Sequence, residues 1–88
     1  MKRYIRSTIE NLYTLQEWAE HFDGKPNTYI YIYATAYEWW GEFAKLKLLL
    51  AHPEQYDDHV YLVSDYYVVD VEHTKSKDHY SLYLESPN

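Results

Sequence analysis

The strongest pattern of apolar positions in the chain lies between residues 35 and 52. Apolar side chains recur there at three- and four-residue steps, which is typical of one helical face. They are Ala36, Trp39, Trp40, Phe43, Leu46, Leu49 and Leu50. Thr35 and Glu38 have the spacing of a capping box, and Pro53 cannot continue a helix. The pattern predicts a central helix over residues 35–52, with Gly41 in its interior.

A shorter amphipathic repeat follows Thr14. Its apolar positions are spaced as on one helical face and comprise Leu15, Trp18, Ala19 and Phe22. Thr14 and Glu17 form a capping-box pair, and Gly24 stands where a helix C-terminal glycine is favoured. We predict a helix over residues 15–23, either preceded by a helical turn from Thr8 or continuous with it. The residues before that turn fit a loose segment or a short edge strand.

Alternation of side chains predicts the strands. Residues 28–34 form the clearest one, since Ile30 and Ile32 point to one side and three tyrosines to the other. Further strands are predicted over residues 60–63, 66–72 and 79–85, with a hairpin turn over residues 73–78. Ser64 and Asp65 are either a bend between the first two of these or part of one long bulged strand.

These elements predict a small α+β fold in a single domain over residues 1–88. Their order favours two layers, a mostly antiparallel sheet of three to four strands with two helices on one face. Trp39 and Phe43 of the central helix should be buried by the sheet. The sheet face toward the helices would carry Ile30, Ile32, Val60, Leu62, Tyr67, Val69, Val71, Tyr80, Leu82 and Leu84. The opposite face would carry Tyr29, Tyr31, Tyr33, Tyr61, Tyr66, Asp70, Glu72, Ser81, Tyr83 and Glu85.

The net charge of −6 is unevenly distributed along the chain. Residues 1–52 contain equal numbers of acids and bases, whereas residues 53–88 carry eight acids and only Lys75 and Lys77. An acidic surface repels phosphate and attracts basic partners, although it also serves solubility alone. Direct nucleic-acid binding is disfavoured, because it requires clustered lysine and arginine.

Composition excludes several kinds of chemistry. Without cysteine the chain has no disulfide, thiolate nucleophile or thiolate metal site. Its two glycines cannot build a glycine-rich phosphate loop, and neither Ser64 nor Ser81 lies in a nucleophile motif. No apolar run reaches the roughly 20 residues of a membrane span. We therefore expect a cytoplasmic, non-enzymatic protein that needs no cofactor.

The five histidines offer two candidate metal clusters. Asp57, Asp58 and His59 are consecutive, and His73 and His79 could meet across the predicted hairpin. Neither cluster has an established ligand spacing, and surface histidines that flank turns are far commoner. We expect that neither folding nor activity requires a metal.

The predicted tyrosine- and carboxylate-rich sheet face is the most informative feature for function. Tyrosine supplies rigid contact area at low entropic cost, and neighbouring carboxylates select a basic partner. Strand propensity and solubility alone would also favour such a composition. The candidate partner-binding residues are Tyr31, Tyr33, Asp57, Asp58, Asp65, Tyr66, Asp70, Glu72, Tyr83 and Glu85.

In general character, this small, acidic, tyrosine-rich and cysteine-free chain resembles the inhibitors encoded by phages and mobile elements, including anti-CRISPR and antirestriction proteins. The resemblance extends over the whole chain and includes no specific motif. It implies that carboxylates stand where a nuclease expects phosphates, with tyrosines as anchors. The implied partner is a Cas nuclease or another basic nucleic-acid-handling protein. The competing class is a structural or regulatory adaptor that forms homodimers or larger homo-oligomers through the same sheet face.

Overall fold

The computed structural model describes residues 12–87 and confirms the small α+β fold class. Within this range the chain forms two α-helices and a four-stranded mixed sheet. The helices are α1 (Leu15–His21) and α2 (Phe43–Ala51). The strands are β1 (Tyr29–Ala34), β2 (Tyr37–Glu42), β3 (Tyr67–Thr74) and β4 (His79–Glu85). The helical turn predicted from Thr8 and the edge strand predicted before it lie outside the described residues.

Two antiparallel hairpins lie side by side in the sheet, in the order β2-β1-β4-β3. β1 pairs with β2, and β3 pairs with β4, in antiparallel fashion, while the central strands β1 and β4 run parallel. The sheet is therefore mostly antiparallel, as predicted. The chain passes from one edge strand to the other through α2 and two 3-10 helices, Pro53–Gln55 and Val60–Val63.

The first half of the predicted central helix is instead the edge strand β2. Its side chains alternate strictly, so that Trp39 and Gly41 are buried while Trp40 is 65% exposed. Helical and strand periodicity both fit these residues when they are taken alone. Pairing with β1 decides for the strand, because it places Trp39 directly opposite the buried Ile32.

The predicted capping box of Thr35 and Glu38 is therefore wrong. Thr35 and Ala36 form the two-residue turn of the β1–β2 hairpin, although neither is a glycine. Tight hairpin turns favour glycine or asparagine, so the sequence carried no turn signal at this point.

Helix α2 begins at Phe43 without a side-chain cap. The Phe43 N–H donates to the carbonyl of Thr28 at 2.8 Å, and the Ala44 N–H donates to that of Pro26 at 3.0 Å. These loop carbonyls satisfy N–H groups that have no partner within the helix. The helix ends at Ala51, close to the predicted end.

Helix α1 confirms the predicted capping box, since the Thr14 hydroxyl accepts from the Glu17 N–H and the Glu17 carboxylate accepts from the Thr14 N–H. The helix ends at His21, and the extended Phe22 is its C-cap, so Gly24 is not the predicted C-terminal glycine. The absence of a side chain at Gly24 serves packing instead, because a Cβ atom there would overlap the Phe22 ring.

The strand predicted over residues 60–63 is a 3-10 helix. It buries Val60 and Val63 and leaves Tyr61 and Leu62 exposed, so the last two belong to neither sheet face. Of the two alternatives for Ser64 and Asp65, the bend is closer to the structure than the long bulged strand, since a turn separates this helix from β3.

A bulge between Val68 and Asp70 explains the remaining errors in the assignment of faces. An extra residue inverts the alternation on one side of the bulge. Tyr67 therefore pairs with Glu85 on the face away from the helices, and Tyr66 packs against the core, the reverse of the prediction. After the bulge, the predicted assignment is correct.

The core lies between the helices and one face of the sheet. The predicted burial of Trp39 and Phe43 is confirmed, at 7% and 3% exposure. The core residues that surround them include Leu15, Ala19, Ile30, Ile32, Leu46, Leu49, Leu50, Val60, Val63, Val68, Leu82 and Leu84.

Candidate functional site

The sheet face turned away from α1 and α2 carries aromatic and acidic side chains, and we call it the outer face. Its members follow from strand register and alternation. They are Tyr29, Tyr31, Tyr33, Glu38, Trp40, Glu42, Tyr67, Asp70, Glu72, Thr74, His79, Ser81, Tyr83 and Glu85. The predicted outward orientation of the β1 tyrosines is confirmed, because Ile30 and Ile32 between them are fully buried.

The charges of the outer face all have one sign. The four strands, all within the described part of the chain, contain no lysine or arginine. Every carboxylate of these strands belongs to the outer face: Glu38, Glu42, Asp70, Glu72 and Glu85. Two of them come from the half of the sequence that has no net charge. The fold therefore separates charge by sheet face rather than by position along the chain.

The structure brings together six of the ten predicted partner-binding residues. Those on the outer face are Tyr31, Tyr33, Asp70, Glu72, Tyr83 and Glu85. The other four lie elsewhere, in or beside the connection between α2 and β3: Asp57, Asp58, Asp65 and Tyr66.

Asp58 is held by hydrogen bonds within the fold. Its carboxylate accepts from the Val60 N–H at 2.9 Å and from Trp39 Nε1 at 3.2 Å, with the Tyr37 hydroxyl at 3.5 Å. Burial, followed by the nearby Asp58 charge, raises the pKa of Tyr37 to about 12. Asp58 therefore fixes the core tryptophan and the second 3-10 helix.

Three more of the predicted binding residues differ from expectation. Asp57 and Asp65 are exposed, but they lie off the outer face in the α2–β3 connection. Asp70 lies on the predicted sheet face, but only 8% of it is exposed, so it is buried where an accessible binding residue was expected. Among the acids of the outer face, Glu38, Glu42 and Glu72 are the exposed ones.

The side chains of Tyr83 and Glu72 form a short hydrogen bond on the outer face. The Tyr83 hydroxyl donates to Glu72 Oε1 at 2.6 Å, and the Tyr83 ring stacks on Tyr33 with 5.3 Å between centroids. The hydrogen bond to Glu72, together with partial burial, raises the pKa of Tyr83 to about 12. Both partners are thereby held in one orientation on the outer face.

A second aromatic group on the outer face comprises Tyr29, Tyr31, Trp40 and His79, and we call it the aromatic cluster. The His79 ring lies 5.5 Å from the rings of both Tyr29 and Tyr31, and Trp40 stacks 6.3 Å from Tyr29. The four side chains line a shallow depression of about 320 Å³.

Sequence analysis missed Trp40, Glu38 and Glu42 because it placed them on a helix. The signal that could have revealed them was the alternation of polar and apolar residues in Tyr37–Glu42. His79 was predicted to lie on a strand but was considered only as a metal ligand.

The two histidines of the hairpin do not form a metal site. His73 stacks on Tyr80 at 4.0 Å between centroids, with Nε2 3.2 Å from the Asp78 carboxylate, whereas His79 lies against Tyr29 on the outer face. The possible approach of the two histidines across the hairpin is not found, because alternation places them on opposite faces. Within residues 12–87 no three histidine or acidic side chains are grouped to hold a metal ion.

Comparisons with protein-family models, with curated proteins and with solved structures find no match to this chain. None of the helices within residues 12–87 is long and apolar enough to cross a membrane. What the chain binds is therefore inferred from the outer face itself.

Proposed function

We propose that this chain is a small, non-enzymatic inhibitor whose outer face binds the basic groove of a nucleic-acid-handling protein, such as a Cas nuclease. In this function the carboxylates occupy positions that the partner reserves for phosphates, and the aromatic rings anchor the contact. One observation carries the proposal: every carboxylate of the strands lies on one face, beside aromatic rings from all four strands, and the strands contribute no lysine or arginine to it. Such a face selects a basic partner and disfavours direct contact with nucleic acid.

The spacing of the carboxylates supports partial nucleic-acid mimicry. Glu38 and Glu42 lie on one edge strand and Glu72 on the other edge strand, with β1 and β4 between them. Three inter-strand spacings separate these edges by about 14 Å. That distance is close to the width of the major groove of B-DNA, about 12 Å, which lies between two rows of phosphates.

Charge also bears on the adaptor alternative. The exposed Trp40 would favour burial against a second copy of the chain, since large exposed aromatic residues often mark interfaces. A face-to-face dimer would, however, bring the carboxylates of two outer faces together, and like charges at an interface are unfavourable. The outer face is therefore better suited to a basic partner than to itself.

Affinity capture with charge-matched variants tests the proposal. The variant Glu38→Lys/Glu42→Lys/Glu72→Lys reverses exposed outer-face acids, and the control Glu54→Lys/Asp57→Lys/Asp65→Lys reverses as many exposed acids elsewhere. We expect the parent and the control, but not the outer-face variant, to capture a DNA- or RNA-binding protein from a lysate.

The captured protein is then purified and titrated with the parent chain. Binding should weaken as ionic strength rises, and the partner's own nucleic acid should compete. Equal capture by both variants, or simultaneous binding of nucleic acid and inhibitor, would refute the proposal. Self-association of the chain alone, lost in the outer-face variant, would favour the adaptor.

A further inference from the structure

We infer that the aromatic cluster is a pocket for an arginine side chain of the partner. This inference rests on the proposed function and specifies which basic residue the outer face recognises. It identifies Tyr29, Tyr31, Trp40 and His79 as the binding group, whereas the carboxylates alone would bind either lysine or arginine.

The geometry of the cluster suits a flat cation. Trp40 is 65% exposed and lies directly opposite Tyr31 in the β1–β2 register, so its ring borders the depression of about 320 Å³. Tyr29, Tyr31 and His79 complete the lining with centroid separations of 5.5 Å. A guanidinium group stacks on aromatic rings through its planar faces and gains cation–π attraction within about 6 Å of a ring centroid, most strongly over tryptophan.

Carboxylates stand beside these rings. Glu42 is the cross-strand partner of Tyr29, and Glu38 and Glu42 flank Trp40 on the same face of β2, each two residues away. A guanidinium group stacked on Trp40 could thus donate hydrogen bonds to a carboxylate in the fork geometry that favours arginine. The ammonium group of lysine could pair with the same carboxylate, but it lacks a planar face for stacking.

The other ligands of aromatic surfaces fit less well. Nucleobases also stack on tryptophan and tyrosine, but their phosphates would lie close to Glu38 and Glu42. An arginine uses both properties of the site, the aromatic surface and the negative charge.

Two synthetic peptides of equal length and charge test the inference, one of alternating glycine and arginine and one of alternating glycine and lysine. Their affinities for the full chain are measured by calorimetry at low and physiological ionic strength. We expect the parent to bind the arginine peptide about fivefold more tightly or better, because the guanidinium plane stacks on Trp40 and the lysine ammonium has no plane to stack.

Variants then assign the preference to the cluster. Trp40→Leu should remove most of the preference for arginine, because it weakens the binding of the arginine peptide much more than that of the lysine peptide. Tyr61→Leu removes another exposed aromatic residue, which lies away from the outer face, and should leave the preference intact. Glu72→Gln, on the opposite edge strand of the sheet, should weaken the binding of both peptides by the same factor.

The outcomes separate this inference from the proposed function. Equal affinity of the parent for the two peptides, or an arginine preference that Trp40→Leu does not reduce, would overturn the arginine pocket and leave the acidic binding face standing. If neither peptide binds at low ionic strength, both the arginine pocket and the proposed function are overturned. Tighter binding of a single-stranded oligonucleotide, lost in Trp40→Leu, would assign the cluster to nucleobases and overturn the inference.

Discussion

At the scale of single residues, Asp58 shows how an acidic side chain can serve the fold. Sequence analysis grouped it with Asp57 as a candidate for binding, because both stand in one acidic run. The structure separates them, since Asp58 accepts hydrogen bonds from Trp39 and Val60 whereas Asp57 is exposed. The contact with Trp39 joins residues 19 positions apart, and no local sequence pattern contains it.

Replacement of Asp58 should destabilise the fold. Asp58→Ala removes a charged acceptor from the Trp39 indole and the Val60 N–H, and we expect a loss of about 2 kcal/mol in the free energy of unfolding. Asp57→Ala, beside it, should change that free energy by less than about 0.5 kcal/mol. Denaturant unfolding followed by tryptophan fluorescence measures both. Equal effects of the two substitutions would refute the assigned role of Asp58.

The hydrogen bond between Tyr83 and Glu72 predicts a pH dependence. The pKa of Tyr83 is raised from 10.0 to about 12, so the folded state holds the phenol proton more tightly than the unfolded state. The contribution of this group to stability should be complete below pH 10 and should be lost as the pH rises towards 12.

Glu72→Gln should lower the pKa of Tyr83, because it removes the negative charge that disfavours the phenolate. Titration of tyrosinate absorbance measures this change, and the difference between each protein and its Tyr83→Phe derivative isolates Tyr83 from Tyr37, whose pKa is also about 12. An unchanged titration in Glu72→Gln would contradict the assignment.

At the scale of secondary structure, the sequence predicted α1, β1 and β4 well and failed at β2. For β1 and β4, alternation and turn signals agree, and for α1 the capping box adds a local signal. In Tyr37–Glu42, adjacent tryptophans at 39 and 40 satisfy a helical stripe as well as a strand. Only pairing with β1 resolves the ambiguity, and pairing is a property of the tertiary structure.

Gly41→Ala distinguishes the strand from the predicted helix by the sign of its effect. In a helix interior the change would stabilise the protein by about 1 kcal/mol. In β2 the new Cβ would lie 2.9 Å from the buried Trp39 ring, so the ring or the strand must shift. We expect a loss of about 1–3 kcal/mol, typical of overpacking, in a denaturant melt. A gain in stability would contradict the strand.

The two threonines proposed as helix caps should differ in their effects. Thr14→Ala removes the hydroxyl that accepts from the Glu17 N–H and should cost about 1 kcal/mol. Thr35→Ala changes an exposed hairpin turn and should cost less than about 0.5 kcal/mol. Thermal unfolding followed by circular dichroism compares them. A larger loss of stability for Thr35→Ala than for Thr14→Ala would indicate a helix cap at Thr35 and would contradict the hairpin turn.

At the scale of the whole molecule, periodicity was enough to predict the α+β class and most of the core. It also predicted that the helices lie on one side of a mostly antiparallel sheet. Part of the candidate site could not be predicted, because it depends on how the strands pair. The sequence located the negative charge in residues 53–88, yet Glu38 and Glu42 join Glu72 on the outer face once β2 pairs with β1. The bulge before Asp70 likewise places Tyr67, rather than the predicted Tyr66, on the outer face, because one extra residue inverts the alternation.

The central claim is that the outer face, rather than the acidic C-terminal part of the sequence, binds a basic partner. Carboxylate footprinting of the chain, alone and in complex with the partner obtained by capture, tests it most directly. We expect Glu38, Glu42 and Glu72 to become protected from modification in the complex, while Glu54, Asp57 and Asp65, all exposed in the free chain, remain reactive. Protection of the second set with continued reactivity of the first would contradict it.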